Sequence, residues 1–397
     1  MSAARRTPGL ALVLAATVAT LAAGYLLKLP CLTAAWTDGR QYTRLCYSDV
    51  AALYASNDRE RGLDDGRFPY LGARNEYPVL TGLAMGAAAW PADSYPSFFH
   101  WTAVLLGASA LATSWALHRI AGSRALYLAL APTLAIYAFM NWDLIAVALA
   151  TVATLAHLRG RDRAAGVLLG LGIAAKLYPV FVLIAMLAGR LRQGRRRDAA
   201  AMAGTAGGAW LAVNLPFALL APGNWSEFYR FNSARGADWD SVWYVLARHL
   251  GFSWSRLELN LLAALAFVGA SALIVAVARR RDPGRPTWTF AFPVLVAFLL
   301  TSKVYSPQFS LWLIPWFALT LPSPWLFAAF SVADAAVFVT RFQFFARLAD
   351  VGPGVPFEAF EVALGLRAAV LVACVVAWVW RAAPERAPAP QPALEAT

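Results

Sequence analysis

A few ionisable residues lie beside long apolar segments, where charge is costly and usually has a function. Asp49 stands in "CYSDVAALY" (46–54), Asp143 begins an apolar run, and Lys176 and Lys303 interrupt two others. A carboxylate is a suitable general base for a hydroxyl group, and a lysine ammonium is a suitable partner for a phosphate. The alternative for each residue is a solvated position among the lipid headgroups. The positions of these residues relative to a membrane decide which interpretation holds.

The composition indicates an all-α polytopic membrane protein. Of 397 residues, 60% are hydrophobic and 14% are charged, and apolar runs long enough to cross a bilayer recur along the chain. The net charge of +12 is typical of a nucleic-acid-binding protein, but the basic residues occur in short clusters between apolar runs, such as Arg195–Arg197 and Arg279–Arg281. Basic clusters of this kind mark cytoplasmic loops. We therefore expect the lipid bilayer as a partner and no nucleic acid. The first apolar run has no clear cleavage site and is read as a retained helix.

The alternation of basic and mixed-charge loops predicts about twelve transmembrane helices with both termini in the cytoplasm. Residues 1–384 form a single transmembrane domain, with outer loops at about 28–96, 222–256 and 341–357, and 385–397 form a disordered cytoplasmic tail. The predicted helices are 10–27, 97–117, 125–140, 143–158, two short helices between 163 and 190, 199–221, 257–278, 287–301, 308–321, 323–340 and 358–380.

Two segments require a special path. The long first outer loop contains an apolar stretch, 77–91, which is predicted to be an interfacial or re-entrant helix on the outer surface. The stretch between Arg163 and Arg190 has cytoplasmic ends, so we expect two short helices with a break at Lys176–Pro179. Non-helical backbone at that depth is tolerated only where it is buried in protein or lines a watery cavity.

This path places Asp49, Asp143, Lys176 and Lys303 on the outer face. The chain has three lysines among 34 basic residues, and all three, Lys28 included, fall at or near the outer boundary. Their placement points to an anionic lipid headgroup in the outer leaflet. Lys28 lies at a helix end and is read as an anchor whose charged tip reaches the membrane surface.

Aromatic and polar residues of the outer loops are candidates for sugar binding. Glu76 and Tyr77 lie in the first loop, and Trp239 lies among many rings in the second. Aromatic faces near acids and amides suit carbohydrates, whereas the alternative is an aromatic belt at the membrane interface.

Other catalytic sites are not indicated. The four histidines have no metal-ligand spacing, and no CxxC, Walker, HExxH or GxSxG motif occurs. We expect no metal site and no cofactor, although a divalent metal is left open. Cys31 and Cys46 lie in one outer loop, where a disulfide would hold the segment that carries Asp49. Two free thiols are the alternative.

Several short segments resemble, in order, the signatures of the GT-C membrane glycosyltransferases. They are the first-loop acid, "NEYPVL", the polar turn before Asp143, "AAKLYP" and "SKVYSPQFSLWLIP", over about residues 40 to 320. The chain most resembles family 87, the polyprenyl-phosphomannose-dependent α-mannosyltransferases of actinobacteria. It departs from the family in having Asn141-Trp142-Asp143 where Gly-Gln is frequent, and "EYPVL" where a second proline is usual. The resemblance implies a lipid-linked sugar donor and a base at Asp49.

The chemistry of such a reaction assigns roles to the candidates. A polyprenyl phosphate is a good leaving group, so what remains is a base for the acceptor hydroxyl and cations for the phosphate. Asp49 supplies the base, and Lys303, Lys176 and Arg341 supply the cations. Direct attack assisted by one carboxylate predicts inversion at the anomeric carbon. The residues expected to contact sugar or acceptor are Glu76, Tyr77, Asp143, Asn141, Tyr305, Gln308 and Trp239.

The sequence therefore predicts an inverting glycosyltransferase of the plasma membrane with an extracytoplasmic active site. It would move a sugar, mannose by resemblance, from a polyprenyl-phosphate donor to a glycolipid or cell-envelope glycan. The rival class is a transporter or flippase of a lipid-linked glycan, which needs polar residues through the midplane; Asp334 is the main residue of that kind. A non-catalytic scaffold leaves the outward clustering of charge unexplained.

Overall fold

The computed structural model describes residues 9–32, 38–54, 63 and 67–381. Within these residues the chain is helical and contains no β-strand; one isolated bridge pairs Pro69 with Ala73. The predicted tail, 385–397, lies outside the described residues. The all-α prediction is confirmed for the described part of the chain.

The helices are numbered in chain order. Those before residue 160 are α1 (Leu10–Lys28), α2 (Arg40–Thr43), α3 (Asp49–Tyr54), α4 (Val79–Ala89), α5 (Tyr95–Ala121), α6 (Leu126–Ala129), α7 (Pro132–Tyr137) and α8 (Asp143–Leu158). Those after it are α9 (Asp162–Ala175), α10 (Pro179–Arg192), α11 (Arg196–Leu220), α12 (Pro222–Trp225), α13 (Glu227–Ala234), α14 (Val242–Leu250), α15 (Arg256–Arg281), α16 (Ala291–Thr301), α17 (Ile314–Thr320), α18 (Pro324–Leu348) and α19 (Phe357–Trp380). Short 3-10 turns cover Leu29–Cys31, Gly122–Ala125, Thr287–Phe290 and Pro307–Trp312.

Six segments of the described chain are long and apolar enough to cross a membrane. They are Leu10–Cys31, Tyr95–Ala129, Arg196–Leu220, Arg256–Arg281, Pro324–Leu348 and Phe357–Trp380. The protein is therefore a multi-pass membrane protein. The remaining apolar helices, including α4 and α8, are shorter than a full span. The predicted number of about twelve spans is not confirmed, because several predicted spans are short or interrupted helices.

Three predicted boundaries were wrong. The predicted helix over 125–140 is two short helices, since Pro132 lacks a backbone N–H and begins a new helix, α7. The segment 308–321 begins as a 3-10 turn and becomes α-helical only at Ile314. Helix α18 continues to Leu348 rather than ending at 340, because no proline or glycine interrupts it. Arg341 is therefore in a helix and not in the third outer loop.

The predicted break between two short helices is confirmed. Helices α9 and α10 have 14 residues each and are separated at Lys176–Tyr178. A helix of this length rises about 21 Å, which is about two thirds of a typical hydrocarbon core. Helix α9 packs closely on α11 because Gly166 and Gly170 leave room for the α11 backbone. This close packing holds the first of the two short helices against α11.

The ends of α8, α9 and α10 opposite Lys176 meet in a buried ionic cluster. The carboxylate of Asp162 lies 2.9 Å from Arg190 and 3.3 Å from Arg195, and 3.0 Å from the Nδ1 atom of His157. These contacts join three successive helices and the start of α11 at the basic end of the bundle. The other end of the same helices is the candidate site.

The apolar segment 77–91 forms α4, whose 11 residues are too few to cross a bilayer. The helix packs on α5, α9 and α11, and buries Val79, Met85 and Ala88. The hydroxyl of Thr81 donates a hydrogen bond of 2.7 Å to the carbonyl of Ala175, the last residue of α9. Helix α4 therefore closes over the break that contains Lys176.

Candidate active site

A cavity of about 560 Å³, called the central cavity below, brings together the ionisable residues singled out from the sequence. Its wall includes Asp49, Lys176, Lys303 and Arg341. These residues are spread over almost 300 positions of the chain and come from the start of α3, the α9–α10 break, the turn after α16 and the middle of α18. The fold thus places this carboxylate and these three cations around a single space, which Glu76, Arg235 and Asp238 also line.

Asp49 is held firmly at the wall of this cavity. Its backbone N–H donates to the carbonyl of Met140 at 2.8 Å. Its carboxylate accepts hydrogen bonds from the hydroxyl of Tyr47 at 2.9 Å and from that of Tyr77 at 3.1 Å. Burial raises the pKa of Asp49 above its usual value, whereas the two hydroxyl donors and Lys176 oppose this rise. The carboxylate is therefore oriented and more basic than an ordinary aspartate.

The segment before Asp49 is attached to the end of α1 in two ways. Cys31 and Cys46 form a disulfide, as expected. The ammonium of Lys28 donates a hydrogen bond of 2.8 Å to the carbonyl of Tyr47. The interpretation of Lys28 as a surface anchor was wrong, because the residue is 1% exposed.

Lys176 lies in a cage of aromatic rings with one carboxylate. Its Nζ atom is 2.7 Å from Asp143 and lies 5.1 Å from the ring centroid of Tyr77, 4.9 Å from that of Phe309 and 5.9 Å from that of Trp312. The indole N–H of Trp312 donates to the other oxygen of Asp143 at 3.0 Å. Asp143 therefore holds the cage together, and Lys176 presents a cation to the cavity.

Lys303 is attached to residues 233–240, which run from the end of α13 to Asp240 and are called the covering segment below. Its ammonium donates to the carbonyls of Ser233 and Arg235 at 3.2 and 2.7 Å, at the end of α13. Burial, with a smaller effect from Arg235, lowers the pKa of Lys303 below its usual value. The guanidinium of Arg235 in turn donates to Asp238 at 3.0 Å. Both basic residues line the cavity, so this side is cationic as well.

Arg341 is paired with an acid of the same covering segment. Its guanidinium lies 2.6 Å from Asp240, and Asp240 is fully buried. Burial raises the pKa of Asp240 to about 6, and the charge of Arg341 opposes that rise. The pair joins α18 to the segment that follows α13 and fixes the position of Arg341 at the cavity.

The family of the protein follows from a comparison with family models. The model described as glycosyltransferase family 87 matches residues 75–307, which is more than half of the chain. The chain belongs to glycosyltransferase family 87. The matched part of this family 87 protein contains Lys176, Lys303 and the whole covering segment, whereas Asp49 precedes it.

Curated sequences and solved structures give no narrower relationship for this family 87 member. No curated protein sequence matches it. Among solved structures, ArnT from Cupriavidus metallidurans, crystallised with undecaprenyl phosphate, matches with 15% identity and a TM-score of 0.41. That match covers 91% of this chain and 77% of ArnT.

The residues that were expected to contact sugar or acceptor divide into two groups. Glu76, Tyr77 and Gln308 line the central cavity of the family 87 protein. Four others, Asn141, Asp143, Tyr305 and Trp239, are not part of its wall, and their contact with sugar or acceptor stays a prediction. Asn141 accepts from the backbone N–H of Asp143, which is itself paired with Lys176.

Tyr305 and Trp239 complete the second group. The ring of Tyr305 packs under the guanidinium of Arg367, whose central carbon lies 3.7 Å from the ring centroid. Trp239 packs against Phe344 and Phe357 in a hydrophobic cluster. Both aromatic residues therefore contribute to packing.

Several cavity residues were not identified from the sequence. Arg235 and Asn232 line the cavity from the end of α13, and Phe309 and Trp312 line it beside Lys176. The last two lie within the quoted segment "SPQFSLWLIP". Two residues three positions apart on a turn lie on the same side of it, so this spacing could have indicated that both rings face the cavity. Arg235 offered no signal, since its loop is rich in charged and aromatic residues alike.

Two further features concern metal ligands and the acid at the predicted midplane. No group of three or more His, Cys, Asp or Glu side chains suited to a metal ion occurs in the described part of the chain. Asp334 is buried in α18, where it accepts hydrogen bonds from Ser310 at 2.6 Å, Thr133 at 3.3 Å and Arg367 at 3.4 Å. Asp334 therefore joins α7, α18 and α19 rather than lining the cavity.

Proposed function

We propose that this family 87 glycosyltransferase is an inverting enzyme that moves a sugar from a polyprenyl-phosphate donor to a hydroxyl acceptor in the central cavity. The observation that carries the proposal is the single cavity shared by the Asp49 carboxylate, Lys176, Lys303 and Arg341. A base and a phosphate site are the two functions that the reaction needs.

Asp49 is proposed as the general base. The acceptor hydroxyl would donate its proton to the carboxylate as its oxygen attacks the anomeric carbon, and the bond from that carbon to the phosphate oxygen would break. The hydrogen bonds from Tyr47 and Tyr77 orient the carboxylate without neutralising it. Proton transfer to a positioned side chain typically accelerates a reaction by about 10² to 10⁴.

Lys176 and Lys303 are proposed to bind the departing phosphate, with Arg341 as a further cation. The three residues already have partners, namely Asp143, the carbonyls at the end of α13, and Asp240. Lysine has three donor hydrogens, so Lys303 retains a donor beyond its two carbonyl contacts. A phosphate can therefore be bound by the existing arrangement without the loss of these contacts.

The apolar wall of the cavity supports a lipid-linked donor. Leu177 lines the cavity and is 43% exposed. Phe298 also lines the cavity, and its ring packs 5.0 Å from Phe181 of α10 and 5.6 Å from Phe267 of α15. An isoprenoid chain would leave the cavity along this side, between α10 and α15, and enter the bilayer directly.

The finer assignments rest on charge and on the family resemblance. The basic clusters favour an outer-face site in the plasma membrane, because the cavity lies at the end of α8 opposite the basic end. Mannose is proposed as the sugar, in α-linkage, with a glycolipid or cell-envelope glycan as acceptor. No cofactor is proposed.

The test uses the purified full-length protein with polyprenyl-phosphomannose and envelope glycolipids. We expect release of polyprenyl phosphate, an α-linked product, and a loss of about 10² to 10⁴ in kcat for Asp49→Asn. Asp93→Asn is the matched control, because Asp93 is not part of the cavity wall. A folded Asp49→Asn variant with the wild-type rate would exclude Asp49 as the base. Absence of transfer from every polyprenyl-phosphate sugar would refute the donor class.

A further inference from the structure

Lys28 is a buried cation at the end of α1, beside the segment that carries Asp49. Its side chain is 1% exposed, and its Nζ atom lies 5.7 Å from the ring centroid of Phe338. Its hydrogen bond of 2.8 Å goes to the carbonyl of Tyr47. The burial of an ammonium group is unfavourable unless its charge and its hydrogens are satisfied. One carbonyl and one ring offset this cost only in part.

A remaining contribution comes from Asp49, which interacts electrostatically with Lys28. Tyr47 connects the two residues: its carbonyl accepts from Lys28, and its hydroxyl donates to Asp49 at 2.9 Å. Lys176 also acts on the charge of Asp49, but it is paired directly with Asp143 at 2.7 Å. Lys28 has no such direct acidic partner within the described part of the chain, and Tyr47 joins it to Asp49.

We propose that Lys28 is a positioning residue for the general base, which fixes Tyr47 through its carbonyl and favours the ionised form of Asp49 through its charge. The inference rests on the proposed function, since it assigns Lys28 a role only if Asp49 is the base. Lys28 itself is absent from the cavity wall and would not contact substrate.

The charged and titratable groups around Asp49 come from five parts of the fold. They are Tyr47 before α3, Tyr77 before α4, Asp143 of α8, Lys176 at the α9–α10 break and Lys28 of α1, with Arg341 of α18 acting on Tyr47. Removal of Lys28 leaves the Asp143–Lys176 pair intact. The carboxylate would then lose a buried positive charge, and its proton would be held more tightly.

The experiment measures transfer as a function of pH for wild type, Lys28→Met and Lys28→Gln in the full-length protein. Lys28→Met removes both the charge and the hydrogen bond, whereas Lys28→Gln removes the charge and keeps an N–H donor. We expect the acid limb of kcat to move to higher pH in both variants, with kcat near the limb lowered about tenfold or more. The KM for the donor should change little, because Lys28 does not line the cavity. The loss at high pH should be smaller for Lys28→Gln than for Lys28→Met.

Thr17→Val is the matched control, since Thr17 is buried in the same helix and bonds to Ser114 at 2.7 Å. It should lower the melting temperature and leave the acid limb in place. If both Lys28 variants lower only the melting temperature, as Thr17→Val does, the positioning role is wrong. If wild type transfers sugar from no polyprenyl-phosphate donor, the proposed function fails instead, independently of the Lys28 variants.

Discussion

The hydroxyl of Tyr77 donates a hydrogen bond of 3.1 Å to the carboxylate of Asp49. The ring of the same tyrosine faces the ammonium of Lys176, 5.1 Å from its centroid. One side chain therefore connects the proposed base to a proposed phosphate ligand.

Tyr77→Phe should lower kcat by about ten- to a hundredfold, because a hydrogen bond to a charged group contributes roughly 1.5 to 3 kcal/mol. The phenylalanine keeps the ring beside Lys176, so the KM for the donor should stay close to the wild-type value. Steady-state kinetics with varied donor separates the two effects. Tyr127→Phe is the control, since Tyr127 packs on Phe327 and is not part of the cavity wall. A large rise in KM with unchanged kcat would contradict the assignment.

The activity should depend on pH through Asp49. Burial raises the pKa of this carboxyl, so the acid limb of kcat/KM should lie above the usual range of an aspartate, with activity rising as Asp49 loses its proton. The contribution of Asp49 to the stability of the fold decreases as pH rises, whereas the activity increases. Because its folded pKa is raised, that contribution is largest below the unfolded pKa and is lost as pH rises through the folded value. Asp49→Asn should therefore unfold at the same or a higher temperature than wild type at neutral pH, which a thermal scan checks.

Lys176→Met should weaken donor binding and also slow the reaction. The loss of a charged hydrogen-bond donor to phosphate corresponds to about ten- to a hundredfold in kcat/KM. Asp143 would at the same time lose its partner at 2.7 Å, so Lys176→Met combined with Asp143→Asn should be more stable than Lys176→Met alone. Donor titrations and melting temperatures measure the two effects. Equal kcat/KM for wild type and Lys176→Met would remove Lys176 from the phosphate site.

Asp334 distinguishes the enzyme from a transporter. Asp334→Leu should lower stability by about 3 to 5 kcal/mol, because it leaves Arg367 buried without its acidic partner. The transfer rate per folded molecule should remain close to wild type, since Asp334 does not line the cavity. Denaturation in detergent and single-turnover assays on the folded fraction check both expectations. A stable variant that loses substrate movement would instead favour a path through the midplane.

The disulfide gives a prediction about reductant. Cys31 and Cys46 are 15 residues apart, a separation for which loop closure corresponds to about 3 kcal/mol. The double variant Cys31→Ser/Cys46→Ser should melt at a lower temperature and should no longer respond to reductant. Cys374→Ala keeps the reductant response, because Cys374 is buried and free. A wild-type melting temperature that is insensitive to complete reduction would contradict a stabilising role.

The charge pattern of the sequence was sufficient to group Asp49, Lys176 and Lys303. The three residues lie on one side because helices that alternate across a bilayer return every second loop to the same face. The break at Lys176 was equally readable, since 26 residues between basic ends are too few for two full spans.

Side-chain direction was not readable in the same way. Lys28 at a helix end has the same sequence context whether it reaches the headgroups or turns into the protein, and only the position of Tyr47 decides between them. Asp143 was placed in the right region, but its pairing with Lys176 depends on the rotation of α8 against the break. Trp239 fits a packing cluster and a sugar site equally well by composition.

The directions of three helices have a consequence for anions. Helices α8 and α10 begin at the cavity, at Asp143 and Pro179, and α9 ends there at Ala175. Aligned peptide dipoles give a helix start about half a positive charge and a helix end about half a negative charge. The start of α3 and the ends of α13 and α16 also reach the cavity, so helix starts are offset by helix ends there. The positive potential for a phosphate therefore comes from the side chains of Lys176, Lys303 and Arg341 rather than from the backbone.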